Sequence, residues 1–273
     1  MVSPKAQTPH KQSGHPHSVY AGLKAAFEKA DTMVGAVGIF LLGGFAVAAF
    51  GTWVFVEVAE HVQLGASQAF DDAVLRWLGA HHSTALDNIM VEITALGTGT
   101  VVLMIVAVAS LFLVLTNHKY SAILLLVATA GGLVLNLILK LHFNRPRPTI
   151  FVPEVHAVSS SFPSGHAMSA AIVYGTVAYL AARLHRRAWA RALVILAAAI
   201  VILMICISRL YLGVHYPSDV AAGVVIGLAW AAFCMATLEA IQKLGARRDP
   251  KILESEEPAP AGGGPLAGSE RNP

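Results

Sequence analysis

The feature that most constrains this chain is a series of long apolar segments, each near the roughly 20 residues that a helix needs to cross a bilayer. Six segments have this character, at about residues 33–58, 98–116, 120–140, 166–183, 191–207 and 220–241. Only 13% of the 273 residues are charged and 56% are hydrophobic, a balance that a soluble domain of this length does not show. The sequence therefore predicts an all-α fold, a polytopic six-span transmembrane helical bundle.

Polar segments flank the predicted bundle, which would occupy residues 33–243. Residues 1–32 are predicted to form an N-terminal tail that includes a short amphipathic helix at Tyr20–Asp31, lying on the membrane surface. From Asp249 onwards the chain contains no aromatic residue and is rich in Pro, Gly, Glu and Ala. Such a composition cannot bury a core, so we expect residues 244–273 to be a disordered tail.

Several classes of site and partner are disfavoured by composition. Cys206 and Cys234 both lie inside apolar segments, which indicates neither a disulfide framework nor a cysteine metal site. The formal net charge is +3, but the basic residues are dispersed along the chain, so we do not expect a nucleic acid partner.

The distribution of basic residues predicts the orientation in the membrane. With both termini in the cytoplasm, 14 of the 19 Lys and Arg residues lie on the cytoplasmic side, as the positive-inside rule requires. We therefore predict a multi-pass protein of the cytoplasmic membrane. The five basic residues left on the outer face are Arg76, Lys140, Arg145, Arg147 and Arg209. Four of the five cluster around two loops, which indicates that these loops are functional.

The long segment between the first two apolar segments is rich in acidic residues. Within it, residues 70–78 have helical apolar spacing and include Trp77, a residue type favoured at membrane interfaces. We expect a helix lying along the surface, which either walls one side of a site or serves as a passive spacer.

An Arg, a His and an Asp lie between the last two apolar segments, at the edge of hydrocarbon, where ionisable groups are expensive and usually functional. Pro217 suits the start of a helix, and Asp219 then lies in its first turn, close enough to reach back to His215. A carboxylate on one ring nitrogen would fix the tautomer and leave the other nitrogen as a base or nucleophile. The alternative is that Asp219 only caps the helix and Arg209 only extends to the membrane surface.

Two further groups flank the loop between the third and fourth apolar segments. Pro146 and Pro148 stiffen the chain around Arg147, which allows Lys140 and Arg147 to converge on one anion. At the other end of the loop, Ser164 suits the N-cap of the fourth segment, Gly165 exposes backbone N–H groups, and His166 lies in the first turn. The alternatives are a positively charged flank that sets topology and an ordinary helix start.

Together these residues resemble the three-part signature of the type 2 phosphatidic acid phosphatase superfamily. Its members include membrane lipid phosphatases, bacterial acid phosphatases and vanadium haloperoxidases. The matching motifs are Lys140-x6-Arg147-Pro148, Pro163-Ser164-Gly165-His166 and Ser208-Arg209-x5-His215-x3-Asp219. The resemblance covers about residues 33–243 if the arrangement of six spans is included.

The resemblance implies a role for each matching residue. His215 would attack phosphorus, Asp219 would orient it, and His166 would protonate the leaving oxygen and then activate water. The residues that would hold the phosphoryl oxygens are Lys140, Arg147, Ser164, Gly165 and Arg209. No metal or other cofactor is implied. Arg145 lies outside the signature, and we hypothesise that it contacts the second phosphate of an isoprenoid diphosphate; the alternative is a contact with lipid head groups.

These observations predict a metal-independent lipid phosphatase with its site on the outer face. The expected substrates are of the undecaprenyl diphosphate, phosphatidylglycerophosphate or phosphatidate type. Membrane lipids are the other expected partners. The sequence does not predict an oligomeric state. Two alternatives are a vanadate-dependent haloperoxidase and a non-catalytic protein that binds or transports lipid phosphates.

Overall fold

The computed structural model describes residues 17–149 and 160–245. Within these residues the secondary structure consists of eight helices and no strands, which confirms the all-α prediction. The helices are α1 (His17–Gln63), α2 (Gln68–Gly79), α3 (Thr84–Ala95), α4 (Gly99–Leu115), α5 (Lys119–Phe143), α6 (Gly165–Arg183), α7 (Ala188–Tyr211) and α8 (Pro217–Gly245). Residues 1–16 and 246–273, which include most of the predicted C-terminal tail, lie outside the described part.

The number of membrane spans differs from the prediction. Among the described residues, four helical stretches are long and apolar enough to cross a membrane: Leu41–Gln63, Lys119–Phe143, Ala188–Tyr211 and Pro217–Gln242. Helices α3 and α4 are bent by 45° at their junction and provide a fifth candidate if they form one span. The predicted total of six is not confirmed, because α6 is rich in small and polar residues and is less apolar than the long helices α1, α5, α7 and α8.

The predicted amphipathic helix and the first apolar segment are not separate elements. They form one continuous helix, α1, of 47 residues. The surface helix predicted at residues 70–78 corresponds to α2, whereas α3 was not predicted. Helix α3 starts after Ser83, whose hydroxyl accepts a hydrogen bond from the Leu86 N–H at 3.4 Å.

Close packing of α6 against α8 brings their N-termini together. Gly223 and Gly227 face α6. A Cβ atom on Gly223 would lie 2.6 Å from the Ser164 carbonyl oxygen, and one on Gly227 would lie 2.8 Å from the Met168 carbonyl oxygen. This small-x-x-x-small spacing allows two membrane helices to approach closely. As a result, the Ser164 N–H donates to the Asp219 carbonyl at 3.0 Å, and the starts of both helices meet.

An aromatic cluster supports the same end of the bundle from below. The Phe162 ring is fully buried and lies 5.7 Å from the Phe55 ring and 5.0 Å from the Phe143 ring, measured between centroids. These three rings join α1, the end of α5 and the segment that precedes α6. The cluster therefore fixes the ends of α5 and α6 that carry the predicted site.

Candidate active site

His215 lies in the turn between α7 and α8, next to a carboxylate from the first turn of α8. Its Nδ1 atom is 3.5 Å from Asp219 Oδ2, and the two side chains are 2% and 0% exposed. The Asp219 Oδ2 atom also accepts a hydrogen bond from the Tyr216 N–H at 2.9 Å. With Nδ1 beside the carboxylate, the opposite nitrogen faces Arg147, whose Nη1 atom lies 3.4 Å from His215 Nε2.

The surroundings of His215 favour an uncharged ring. Burial lowers the pKa of His215 from 6.5 to about 4, although the neighbouring Asp219 carboxylate acts in the opposite direction. The ring is therefore neutral at neutral pH, with one nitrogen unprotonated. A nucleophilic or basic imidazole requires this state.

Lys140 and Arg147, which were predicted to converge on one anion, approach the same backbone carbonyl group in the structure. The Ser160 carbonyl oxygen accepts from Lys140 Nζ at 2.6 Å and lies 3.5 Å from Arg147 Nη2. Arg147 Nη1 also donates to the Val214 carbonyl at 2.6 Å, immediately before His215. These contacts with backbone carbonyl oxygens fix the positions of the two cations.

Arg209 approaches from the last turn of α7 and is almost completely buried, with 3% of its surface exposed. Its Nη1 atom donates to Thr94 Oγ1 at 2.7 Å, and Thr94 belongs to α3. The Arg209 Nε atom has no hydrogen-bond partner among the described residues. Leaving a buried N–H unsatisfied costs about 1–3 kcal/mol, so the arrangement suits a group that receives an anion.

The start of α6 differs in one respect from the prediction. Ser164 occupies the N-cap position, but its hydroxyl makes no capping hydrogen bond and has no partner within the described residues. The hydroxyl is fully buried and is therefore available to a ligand rather than to the helix. Gly165 allows the Asn136 side chain to approach closely, since a Cβ atom there would lie 2.8 Å from Asn136 Nδ2.

His166 follows in the first turn of α6, against the corner between α3 and α4. A Cβ atom on Gly97 would lie 3.0 Å from His166 Cδ2, so this corner fits closely around the ring. His166 is near enough to interact electrostatically with Arg209, His215, Lys140 and Arg147. The structure thus gathers all three motifs at one end of the bundle.

Arg145, for which we hypothesised a contact with a second phosphate, is paired with two carboxylates instead. Its Nη1 atom donates to Asp219 Oδ1 at 2.6 Å and its Nη2 atom donates to Asp71 Oδ2 at 2.9 Å. The guanidinium also stacks over the Tyr216 ring, 4.1 Å from its centroid, and the side chain is only 9% exposed. Because two carboxylates already satisfy this cation, the structure gives no support to a role in holding a second phosphate.

Five residues that surround the site were not assigned to it from sequence: Gln68, Asp71, Thr94, Ser160 and Ser218. Two of them belong to α2, the helix that the sequence left open as a wall or a spacer. Their contacts with Arg145 make α2 a wall. The signal available in the sequence was the acidic character of this segment, whose negative charge is complementary to the positive charge of the outer loops.

The chemistry available at this site is that of phosphoryl transfer. A neutral histidine backed by a carboxylate, a second histidine, three cations and a helix N-terminus can position a phosphoryl group and balance its charge. Within residues 17–149 and 160–245, no group of three or more His, Cys, Asp or Glu side chains is arranged to hold a metal ion. Fold and site together define a helical membrane phosphatase.

Comparison with known proteins identifies the family. The model of the PAP2 superfamily matches residues 121–243. Phosphatidylglycerophosphatase B of Bacillus subtilis (strain 168) is 33% identical over 175 residues, which are 64% of this chain and 86% of that protein. Undecaprenyl-diphosphatase BcrC of the same organism is 32% identical over 158 residues, 55% of this chain and 73% of that protein.

A solved structure agrees with these relatives. The crystal structure of a transmembrane PAP2-type phosphatidylglycerolphosphate phosphatase from Bacillus subtilis superposes with a TM-score of 0.67 and 30% identity, over 71% of this chain and 96% of that one. The chain therefore belongs to the PAP2 superfamily, and it is a phosphoric ester hydrolase of the membrane lipid phosphatase type.

Proposed function

We propose that this protein hydrolyses the phosphate or diphosphate esters of membrane lipids, through a phosphohistidine intermediate and without a metal ion. The observation that carries the proposal is the neutral, fully buried His215, with Asp219 at one ring nitrogen and Arg147 at the other. The names of the relatives support phosphatidylglycerophosphate and undecaprenyl diphosphate as substrate types, and phosphatidate is the third.

In the first step, His215 Nε2 attacks phosphorus and the bond between phosphorus and the lipid oxygen breaks. His166 gives its proton to that oxygen, so the lipid leaves as an alcohol or, from a diphosphate, as a monophosphate. The Asp219 carboxylate stabilises the positive charge that develops on the ring of His215. This step requires His166 to be protonated when substrate is bound, and the negative charge of the phosphate favours that state.

In the second step, His166 accepts a proton from water, and the oxygen of that water attacks the phosphorus of phosphohistidine. The bond between His215 and phosphorus breaks, inorganic phosphate leaves, and both histidines return to their starting states. Lys140, Arg147 and Arg209, with the N-terminus of α6, hold the equatorial oxygens throughout. The three cations neutralise the negative charge of these oxygens, which is a role of Mg²⁺ in kinases.

The topology forms part of the same proposal. Counting α3 with α4 as one span and α6 as a central span gives six crossings, with both termini in the cytoplasm and the site on the outer face. The cation distribution supports this orientation. A cysteine at Thr149 should then react with an impermeant thiol reagent in intact cells, and one at Arg186 should not. The reverse pattern would place the site in the cytoplasm.

The test of function is phosphate release by the purified protein from a panel of long-chain lipid phosphates and diphosphates. We expect turnover that survives EDTA, is inhibited by vanadate, and is lost in His215→Ala. His142→Ala is the matched control, because this exposed histidine lies at the end of α5, outside the site.

Two outcomes would overturn the proposal. Binding of lipid phosphates without phosphate release would indicate a binding or transport protein. Halide oxidation by the vanadate-loaded protein, without phosphatase activity, would indicate a haloperoxidase.

A further inference from the structure

We propose that Asp71 and Arg145 form a positioning pair that holds Asp219, and through it His215, in the reactive orientation. Helix α2 would then be a functional part of the active site. This inference rests on the proposed function, because it concerns how the carboxylate behind the nucleophile is held. Neither residue belongs to the three motifs that carry the family resemblance.

Arg145 bridges two carboxylates from different helices. One arm of its guanidinium reaches Asp219 Oδ1 at 2.6 Å and the other reaches Asp71 Oδ2 at 2.9 Å. The planar fork of arginine suits such a bridge, whereas the compact ammonium of lysine does not. The second oxygen of Asp219 remains directed at His215 and at the Tyr216 N–H. Arg145 therefore restricts rotation of the carboxylate on the side away from the histidine.

Asp71 also forms hydrogen bonds with the start of α8. Its Oδ1 atom accepts from the Ser218 N–H at 3.0 Å, and its Oδ2 atom accepts from the Ser218 hydroxyl at 2.5 Å. Ser218 immediately precedes Asp219 and is itself bonded to Arg145 at 2.8 Å. Asp71 is fully buried, so these contacts are shielded from water. Asp71 thus holds the residue before Asp219 directly and the side chain of Asp219 through Arg145.

The net charge of Asp71, Arg145 and Asp219 also favours this arrangement. A guanidinium paired with Asp219 alone would neutralise the carboxylate that His215 needs when its ring becomes positive. Asp71 supplies a second negative charge, so the group of Asp71, Arg145 and Asp219 carries a net charge of −1 beside the histidine. Arg145 can then fix the position of Asp219 while the site keeps one negative charge for the developing imidazolium.

The experiment measures kcat and KM of Asp71→Asn, which keeps the shape of the side chain and removes its charge. We expect kcat to fall about 10- to 100-fold, the value of a charge-assisted hydrogen bond, with KM changed less than about threefold. The phosphate-gripping cations are untouched, which is why KM is spared. Glu60→Gln, the same chemical change at an exposed residue of α1, is the control and should match the wild type.

A second measurement separates positioning from a general structural role. In an Asp219→Asn background, Asp71→Asn should lower kcat by less than about threefold, because its effect passes through Asp219. Equal losses in both backgrounds would overturn the inference. Arg145→Lys, which keeps the charge but cannot form the bridge, should also lower kcat more than it raises KM.

The remaining outcomes are equally distinct. A selective rise in KM for diphosphates in Arg145→Lys would show that Arg145 contacts the substrate instead of positioning Asp219. An active wild type with an unaffected, folded Asp71→Asn variant would refute this inference alone. A wild type that releases no phosphate from any lipid on the panel would refute the proposed function as well.

Discussion

Two arginines at opposite ends of the bundle, Arg183 at the end of α6 and Arg209 in the last turn of α7, have opposite surroundings. At the end remote from the site, Arg183 lies 3.2 Å from the Glu239 carboxylate, bonds the Gln242 amide oxygen, and keeps 35% of its side chain exposed. At the site end, Arg209 is 3% exposed, and no carboxylate among the described residues lies within ion-pair distance of its guanidinium. Its described partner is the Thr94 hydroxyl.

The difference separates an arginine that pairs with a carboxylate from one whose described partner is a neutral hydroxyl, and it supports the proposed phosphate contact of Arg209. A neutralised, partly hydrated ion pair such as that of Arg183 contributes about 0–1 kcal/mol and has no reason to bind an anion. A buried guanidinium held by a neutral hydroxyl bears a desolvation cost that a bound phosphoryl group would offset. The surroundings of each arginine, rather than the residue type, therefore mark the functional end.

The largest effect that this comparison predicts is in Arg209→Ala. Loss of a preorganised donor to the phosphoryl oxygens should lower kcat/KM about 10²- to 10³-fold. Arg183→Ala should leave kcat/KM within about threefold and lower Tm by no more than a few degrees. Steady-state kinetics and thermal unfolding of the two variants provide the measurement. Similar losses of activity in both would end the distinction between the two arginines.

A smaller effect is expected when the hydroxyl that holds Arg209 is removed. Thr94→Val keeps the volume of the side chain and deletes the acceptor, so the guanidinium becomes less well placed. We expect kcat/KM to fall about tenfold, in line with the loss of one hydrogen bond to a charged group. Thr237→Val is the control, because Thr237 lies near the remote end of α8 and donates only within its own helix, to the Phe233 carbonyl at 2.9 Å. Wild-type kinetics in Thr94→Val would show that Arg209 is positioned by other contacts.

The last effect concerns pH and stability. Because burial lowers the pKa of His215 from 6.5 to about 4, the unfolded chain binds a proton that the folded protein excludes between these values. The contribution of the neutral ring is therefore complete above pH 6.5 and is lost as the pH falls towards 4. Relative to His215→Gln, the wild-type Tm should decrease over this range.

The control for this pH measurement comes from the remote end of the bundle. His185 is exposed and lies just past the end of α6, so His185→Gln should show the same pH dependence of Tm as the wild type. A wild-type Tm that follows His215→Gln at every pH would show that His215 titrates as an ordinary histidine.

Residues of the three motifs could be found from sequence because each motif is local. Pro217 and Asp219 specify a helix start, and the spacing to His215 follows from one turn of that helix. The pairing of Thr94 with Arg209 and of Asp71 with Arg145 could not be found in this way. The residues of the two pairs are 115 and 74 positions apart in the chain. Thr94 and Asp71 belong to α3 and α2, whose sequences carry no recognisable motif.

Errors in the helix boundaries have a physical cause. The predicted fifth apolar segment ends at residue 207, before the polar residues Ser208 and Arg209, whereas α7 continues to Tyr211. Both polar residues are buried within the bundle, where α3 supplies a partner to the arginine. A polar residue thus ended the predicted helix but not the real one, because tertiary contacts satisfied it.

The proposed mechanism requires His215 to be the group that receives phosphorus. The most direct test is to quench the enzyme with base during turnover of a ³²P-labelled lipid phosphate and to locate the label by peptide mapping. We expect a base-stable, acid-labile label on His215 that is absent from His215→Ala. A label on another residue would refute the role of His215 as the nucleophile. So would an unlabelled wild-type enzyme under conditions where a burst of dephosphorylated lipid precedes the release of phosphate.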